Sequence, residues 1–532
     1  MSTAARHRPR WWIIGLVLVG VVAFGVRAAN VLLWYPTCDV DIITSAETGT
    51  PYPECPFGEY RLWGDSAYGY LQGYLLSQGE GYADSATWFA SDASRIVDSA
   101  GDPPLFAAVL AVVHRLGIHS VTAHRLATSL LGTVGVVLMA LVGARIAGRR
   151  AGLIAGGLAA VYPLLWINDA MLLSESLFVP VIALVLLAAY RFWDVPDRGN
   201  AGWLGAAIAF AALTRGEALL LFGVLVLPLV WGLRRQGWKR PAALVGIVWG
   251  VGALLIAPWI VYNLSRFERP VLMTSQTGAV LAAGACDVAF YGESLGYYGA
   301  DCYSEYVRKG YAIGHPLLPG CDADAVAALD SLDPAVRERA RACWPDPAAL
   351  DESERDTVSA DLAGRYLDEH RERLPVVMVA RVARMFDVYN PDLGSELEPL
   401  GQNVQLNWAV EGRGKWQSRA GFVFWWLLVV PAVAGAVVLV RRRIPVSPLL
   451  AMPVVITVTA ALAFGVTRYR MPVDVSVVVL GAVALEALVR RWWAAPDDAT
   501  VRRRGVPVPA RDASAEAPND VAGVMDPPVV AP

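Results

Sequence analysis

The sequence predicts an all-α polytopic membrane protein with about ten transmembrane helices and two long extracytoplasmic loops carrying interfacial helices. Three observations carry this reading. Of 532 residues, 55% are hydrophobic and only 17% charged, with a mean hydropathy of +0.43; an ordinary soluble domain carries about 25% charged residues. Ten apolar runs stand near the roughly 20 residues that a bilayer span needs. When those runs alternate in direction, nearly every basic cluster between them falls on one face, as the positive-inside rule requires. Together these exclude a soluble multidomain enzyme and a chain disordered over most of its length. The net charge of −3 offers no global basic field for nucleic acid. Only Lys239, Lys309 and Lys415 among the 45 basic residues are lysine, a bias that suggests a GC-rich, bacterial source.

In chain order, residues 1–34 hold a cytoplasmic N-terminus with Arg6, Arg8 and Arg10, then a first span at about 11–34. Arg27-Ala28-Ala29 resembles a signal-peptide cleavage region, but the apolar stretch resumes after Asn30, which favours a span. Arg27, in its outer half, is expected to snorkel. Residues 35–120 form the first outer loop. Its apolar stretch from Pro103 to His114 is placed as an interfacial helix, because an extra span would put Arg149-Arg150 outside. Residues 121–262 hold spans two to seven at about 121–143, 151–167, 172–190, 201–213, 217–233 and 242–262, the fourth of these being short. Residues 263–417 form the large second loop, with an acidic helix-like stretch from Asp322 to Asp368 and an Arg-rich amphipathic one from Arg373 to Phe386 expected to lie along the membrane. Spans at about 418–440, 446–465 and 471–489 complete the region 418–493, and 494–532 reads as a disordered cytoplasmic tail.

The cysteines agree with this topology. Cys38, Cys55, Cys286, Cys302, Cys321 and Cys343 all fall in the two outer loops. An even number in one compartment points to disulfides in an oxidising space. Cys38 with Cys55, and two pairs within 286–343, is the simplest arrangement. Metal binding lacks support, with no CxxC and no nearby His pair.

Three places concentrate polar chemistry at the membrane edge. Asp65, in Trp63-Gly64-Asp65-Ser66-Ala67-Tyr68, is a candidate general base among aromatics. Its plainer reading is a helix N-cap before the apolar run to Leu76. Asp169 and Glu175 flank the junction of the third and fourth spans. Asp169 or Ser174 suits a cap, and Glu175 stands in an apolar run, where a carboxylate is costly unless paired or used. Arg468 and Arg470 lie on the outer face against the charge trend. Guanidiniums there match a lipid phosphate, or simply anionic headgroups. Arg215 and Glu217 make a similar corner and are expected to pair. There is no Walker A motif, no GxGxxG after a strand, no HExxH and no GxSxG.

Four stretches in order carry a family resemblance: GDSAYGYLQGYLLSQGEGY (64–82), DPPLF (102–106), RRAGLIAGGLAAVYPLLWINDAMLLSESLF (149–178) and FGVTRYRMP (464–472). Their order and topology resemble the GT-C superfamily of integral-membrane glycosyltransferases, over roughly 10–275 and 365–490. The nearest branch is the bacterial relatives of dolichyl-phosphate-mannose protein mannosyltransferases and of the lipid A aminoarabinose transferases. The resemblance implies an inverting hexosyl- or pentosyltransferase that moves a sugar from a polyprenyl-phosphate donor to an envelope glycan, lipid or protein at the bilayer's outer face. It implies that Asp65 accepts the acceptor's proton, that Asp169 or Glu175 is the second acidic site, and that Arg468 or Arg470, with Arg215, holds the lipid phosphate. A divalent metal on Asp65, Asp169 and Glu175 is permitted and not demanded. Two departures stand out. Relatives often carry His where Asp102 precedes the Pro-Pro pair, and Asp65 lacks an adjacent Glu, which puts a protein acceptor in doubt. The competing readings are a transporter or flippase for a lipid-linked substrate, expected to show broken charged helices and repeats, and a non-catalytic envelope scaffold.

Overall fold

The computed structural model describes residues 10–38, 41–52, 59–299, 301–331, 333–389 and 415–492. The described chain is built of α-helices with short 3-10 and π-helical turns, and no strand occurs among the described residues. The segment 494–532 and Cys55, which bear the expected tail and the expected partner of Cys38, lie outside the described residues.

Each expected span falls on a helix. Seven segments are long and apolar enough to cross a bilayer: Arg10–Trp34, Val121–Ala147, Glu175–Asp194, Gly216–Arg234, Lys239–Leu264, Arg419–Arg441 and Thr467–Arg491. An eighth is a pair of helices, Arg149–Val161 and Pro163–Asp169, bent by 59°. The bend follows from Pro163, which holds Tyr162 extended (φ −70°, ψ 113°) and interrupts the helix. The last two, Arg198–Thr214 and Ser447–Leu462, have 17 and 16 residues. At about 1.5 Å per residue they reach about 25 Å, short of the roughly 30 Å hydrocarbon core. Ten is therefore an approximate count.

We label the helices that position the site α1 (Arg10–Ala29), α2 (Asp65–Gln78), α3 (Pro104–Arg115), α4 (Val121–Ala147), α5 (Arg149–Val161), α6 (Pro163–Asp169), α7 (Glu175–Asp194), α8 (Arg198–Thr214), α9 (Lys239–Leu264), α10 (Glu352–Glu369), α11 (Leu374–Met385), α12 (Lys415–Arg441), α13 (Ser447–Leu462) and α14 (Met471–Trp492). In the bundle, α4 packs on α1, α5 and α7, while α14 packs on α12, α5 and α7. The segments of α7 and α14 are the most enclosed by protein, which is why their ionisable residues need partners.

The first loop lays α3 against α2, burying Phe106, Leu110 and His114. With 12 residues α3 spans only about 18 Å, too short to cross, as the sequence reading required. The second loop has its own core, in which Phe290, Tyr306, Leu362 and Tyr366 pack around disulfides Cys286–Cys302 and Cys321–Cys343. These are two pairs within 286–343, as expected. The Arg-rich stretch is α11, and its arginines turn into the protein. Arg381 donates to the Ala461 and Leu462 carbonyls at 3.0 and 2.9 Å, and Arg384 Nε to the Leu295 carbonyl at 2.6 Å. Gly465 makes this approach possible, since a Cβ there would lie 2.0 Å from the Arg381 carbonyl oxygen. The second loop thereby pins the chain just ahead of Arg468.

Candidate active site

Four elements meet where the first loop joins the bundle: the start of α2, the start of α7, the turn after α8, and the 3-10 turn Thr467–Arg470 leading into α14. Gly64, at φ 56°, holds the cap position of α2 in a left-handed conformation that glycine adopts without strain. Asp65 is thus the first helical residue and makes no side-chain cap. Its carboxylate turns instead to Arg468, whose Nη1 donates to Asp65 Oδ2 at 2.7 Å.

Among the described residues, Arg468 joins two carboxylates. Its Nε donates to Glu175 Oε1 at 2.7 Å and its Nη2 to Glu175 Oε2 at 3.4 Å. Arg215 Nη1 donates to the same Glu175 Oε1 at 3.0 Å and to Ser174 Oγ at 3.2 Å. Arg215 Nε donates to Glu217 Oε1 at 2.7 Å, the pairing expected from sequence. The Tyr469 ring faces both guanidiniums, 5.0 Å from Arg215 and 5.5 Å from Arg468. The result is a relay of alternating charge, Glu217–Arg215–Glu175–Arg468–Asp65. Its exposure is graded: the Glu175 side chain is 1% exposed and Arg468 7%, whereas Asp65 is 57% exposed. Around Arg215 burial works against the charge, and Glu217 and Glu175 more than offset it, so its pKa rises and the guanidinium stays charged.

Asp102, absent from the candidates singled out by sequence, belongs to this field. It is accessible to solvent but closely surrounded by protein; burial first, and then the Asp65 charge, push its carboxyl up to about 6. Arg215 and Arg468 act in the opposite direction. The only signal in the sequence was an acid where relatives of the resembled family often carry His.

The other candidates go elsewhere. Asp169 accepts from Arg27 Nε at 2.7 Å, both side chains being buried. Gly132 on α4 makes room, since a Cβ there would fall 1.8 Å from Asp169 Oδ2. Arg27 therefore does not snorkel: an internal carboxylate holds it in the bundle. Arg470 also leaves the cluster. It is fully buried, donates to Asp387 Oδ2 at 2.7 Å, sits 3.4 Å from Asp474 Oδ1 and stacks 3.9 Å over Trp425. That placement sets Arg470 apart from Arg468, the other arginine to which the resemblance gives the lipid phosphate. The acids Asp65, Asp169 and Glu175 do not converge on a common point, because Asp169 is committed to Arg27. Among the described residues no group of three or more His, Cys, Asp or Glu has metal-holding geometry. Asp65, Asp169 and Glu175 therefore do not fit a metal.

The fold is that of a multi-pass membrane protein whose polar chemistry gathers at the junction of its first loop and helical bundle. Residues 101–262 match the dolichyl-phosphate-mannose-protein mannosyltransferase family, which bears out the resemblance to GT-C glycosyltransferases. The matched region holds Asp102, Asp169, Glu175 and Arg215 and excludes Asp65 and Arg468. Comparison with curated proteins gives no significant match. Among solved structures, the chain is similar to ArnT from Cupriavidus metallidurans bound to undecaprenyl phosphate, with 16% identity over 90% of this chain and 78% of that one and a TM-score of 0.39. It is also similar to the oligosaccharyltransferase AglB from Archaeoglobus fulgidus in complex with an inhibitory peptide and a dolichol-phosphate, with 13% identity, 93% and 53% coverage, and a TM-score of 0.44. The Archaeoglobus fulgidus oligosaccharyltransferase tethered to an acceptor peptide matches at 12% identity, 91% and 50% coverage, and a TM-score of 0.47. The chain spans about half the length of the archaeal oligosaccharyltransferase.

Proposed function

We propose that the protein is an inverting glycosyltransferase of a bacterial cell membrane, moving a sugar from a polyprenyl-phosphate donor to an envelope acceptor on the extracytoplasmic face. The observation that carries this reading is the Arg468 guanidinium shared between an inaccessible carboxylate, Glu175, and an accessible one, Asp65. The two disulfides of the second loop support an oxidising compartment for the site. The acceptor hydroxyl attacks the anomeric carbon opposite the phosphate. As the C–O bond to the sugar forms, the bond to the phosphate breaks and the proton passes to Asp65. The lipid phosphate leaves as an anion and needs no general acid, because its own pKa is low. Arg468 and Arg215 stabilise its charge from fixed positions, which costs no reorganisation during the step.

Arg468 also couples donor binding to the availability of the base. While Nη1 donates to Asp65 Oδ2, that oxygen is occupied and turned away from an incoming hydroxyl. A donor phosphate that takes over Nη1 releases Asp65 into the site with Oδ2 free to accept the proton. Glu175 keeps hold of the Nε side throughout, so the guanidinium changes partner without changing place.

The test is transfer by the purified full-length protein, offered radiolabelled polyprenyl-phosphate sugars with a membrane extract as acceptor source, beside Asp65→Asn. Transfer from one donor, lost in the variant at unchanged expression, is the expected result. Near-normal transfer by Asp65→Asn sinks the assignment of the base. Solute flux across proteoliposomes without covalent transfer would replace the enzyme with a transporter.

A further inference from the structure

Asp102 is held beside the cluster by the second loop. Glu352, 8% exposed, is the first residue of α10, behind a capping box formed by Asp351 and Glu354. Its Oε2 accepts from the Ala100 amide at 2.8 Å and its Oε1 from Ser99 Oγ at 3.2 Å. Ser99 Oγ lies 2.6 Å from Tyr68 Oη and accepts from the Gly101 amide at 3.0 Å. Tyr68 stands one turn after Asp65 on α2, and Gly101 directly precedes Asp102. One carboxylate therefore reaches both flanks of the site.

The segment between them has no slack. The Ala100 carbonyl accepts from the Ser275 amide at 2.9 Å, and Arg266 Nη2 donates to the Ser99 carbonyl at 3.0 Å. A Cβ on Gly101 would lie 2.5 Å from Gln276 Nε2. Farther along α10, Leu362 and Tyr366 lie in the core that contains both disulfides. A carboxylate is an expensive group to bury where only packing is needed, and burial pushes that of Glu352 above its usual range. Its Oε2 instead satisfies the Ala100 amide, which would otherwise be left unpaired inside the protein, and its Oε1 fixes the Ser99 hydroxyl.

We propose that Glu352 is a positioning residue that sets Asp102 and the start of α2 against Arg468, making the disulfide-bearing loop a working part of the active site. The proposal rests on the glycosyl-transfer reading. Its variants are Glu352→Ala, Glu352→Gln and Ser99→Ala in the full-length protein. Glutamine preserves the network, its carbonyl accepting from Ala100 and its amide donating to Ser99 Oγ. Alanine removes both contacts.

Glu352→Ala is expected to lower kcat by roughly tenfold to a hundredfold with donor KM within about threefold, and Glu352→Gln to stay within about threefold of wild type. Ser99→Ala is expected to show a milder loss of the same kind, and the double variant to be no worse than Glu352→Ala, since both act through one network. Amide hydrogen exchange at 98–102 is measured in parallel and should accelerate in Glu352→Ala and not in Glu352→Gln. Unchanged exchange in Glu352→Ala overturns the proposal whether or not a donor has been found. With active wild type, so does unchanged kcat in Glu352→Ala, or a glutamine variant as impaired as alanine. Inactive wild type with the expected exchange pattern faults the glycosyl-transfer reading and not the positioning.

Discussion

Replacing Arg468 by lysine, beside the same change at Arg470, separates chemistry from packing. Arg468 contacts Glu175 at 2.7 and 3.4 Å and Asp65 at 2.7 Å. Stripping a buried carboxylate of its only partner costs about 3–5 kcal/mol. Glu175 retains Arg215 at 3.0 Å, and lysine retains the charge, so the expected loss of stability is about 1–2 kcal/mol. The accessible Asp65 arm adds at most about 1 kcal/mol. The rate should suffer more. Removing a preorganised donor to a developing anion costs about 2.7–4 kcal/mol; lysine keeps the charge and loses the planar fork, so kcat should fall about tenfold to a hundredfold. Arg470 is fully buried, with Asp387 at 2.7 Å and Asp474 at 3.4 Å. Arg470→Lys also keeps the charge, but in a fully buried site it loses the planar fork that reaches both carboxylates and the stack on Trp425, so it should cost about 2–3 kcal/mol of stability and leave the turnover of the folded fraction unchanged. The assay is a thermal shift in detergent, with transfer at saturating donor normalised to folded protein. If Arg468→Lys unfolds as readily as Arg470→Lys and keeps its turnover, Arg468 is a packing residue. If Arg470→Lys is stable and slow, the two roles have been exchanged.

Asp169→Asn should destabilise the bundle by about 3–5 kcal/mol by leaving Arg27 buried without its charge partner, while the folded fraction keeps its turnover. Combining it with Arg27→Met should recover much of the loss, and a stable but inactive Asp169→Asn would return Asp169 to the reacting site. Asp102 carries a pH signature. Its carboxyl is raised from 3.8 to about 6, so over that interval the folded state binds its proton more tightly than the unfolded state. Its contribution to stability is therefore complete below about pH 4 and lost as pH rises through about 6. Asp102→Asn should raise Tm relative to wild type increasingly between those limits and by a constant amount above them; a pH-independent difference would remove Asp102 from the cluster.

The spans were legible because a long apolar run has few soluble explanations. Their number was less so, because Arg198–Thr214 and Ser447–Leu462 fall a turn or two short of a full crossing. The site was legible as residue types and not as a constellation. Asp65, Glu175 and Arg468 each stood out alone, yet their meeting spans 403 and 293 positions of sequence, a separation no local pattern records. Asp169 and Glu175, only six positions apart, part company because α6 ends at Asp169 and the chain turns through Leu172 at φ 52° before α7 begins. The divergence of Arg468 and Arg470 could have been read directly: in a 3-10 turn, residues two apart point about 120° away from each other. So could a partner for Arg27, since an arginine inside a span calls for an internal counter-charge. Asp102 offered no such clue, because its place depends on Glu352, some 250 residues downstream.

The graded exposure of the relay decides which of its bonds gives way to substrate. A phosphate diester carries one negative charge and, among the described residues, competes for Arg468 with two carboxylates, Glu175 and Asp65. Glu175 is 1% exposed and shared with Arg215, so displacing it would leave a buried charge half-paired, at a cost of several kcal/mol. Asp65 is 57% exposed, and water resolvates it once released, so giving up that bond costs at most about 1 kcal/mol. The phosphate therefore displaces the carboxylate that the reaction needs as a base and leaves in place the one that anchors the guanidinium. Reversing the gradient, by opening Glu175 to solvent or enclosing Asp65, would let the donor bind without freeing a base. Substitutions at Ser174 or Phe178, which stand beside Arg215 (3.2 Å from Ser174 Oγ, 5.9 Å from the Phe178 ring), are therefore expected to lower kcat before they raise the donor KM. A rise in KM at constant kcat would show that Arg468 holds the donor without activating Asp65.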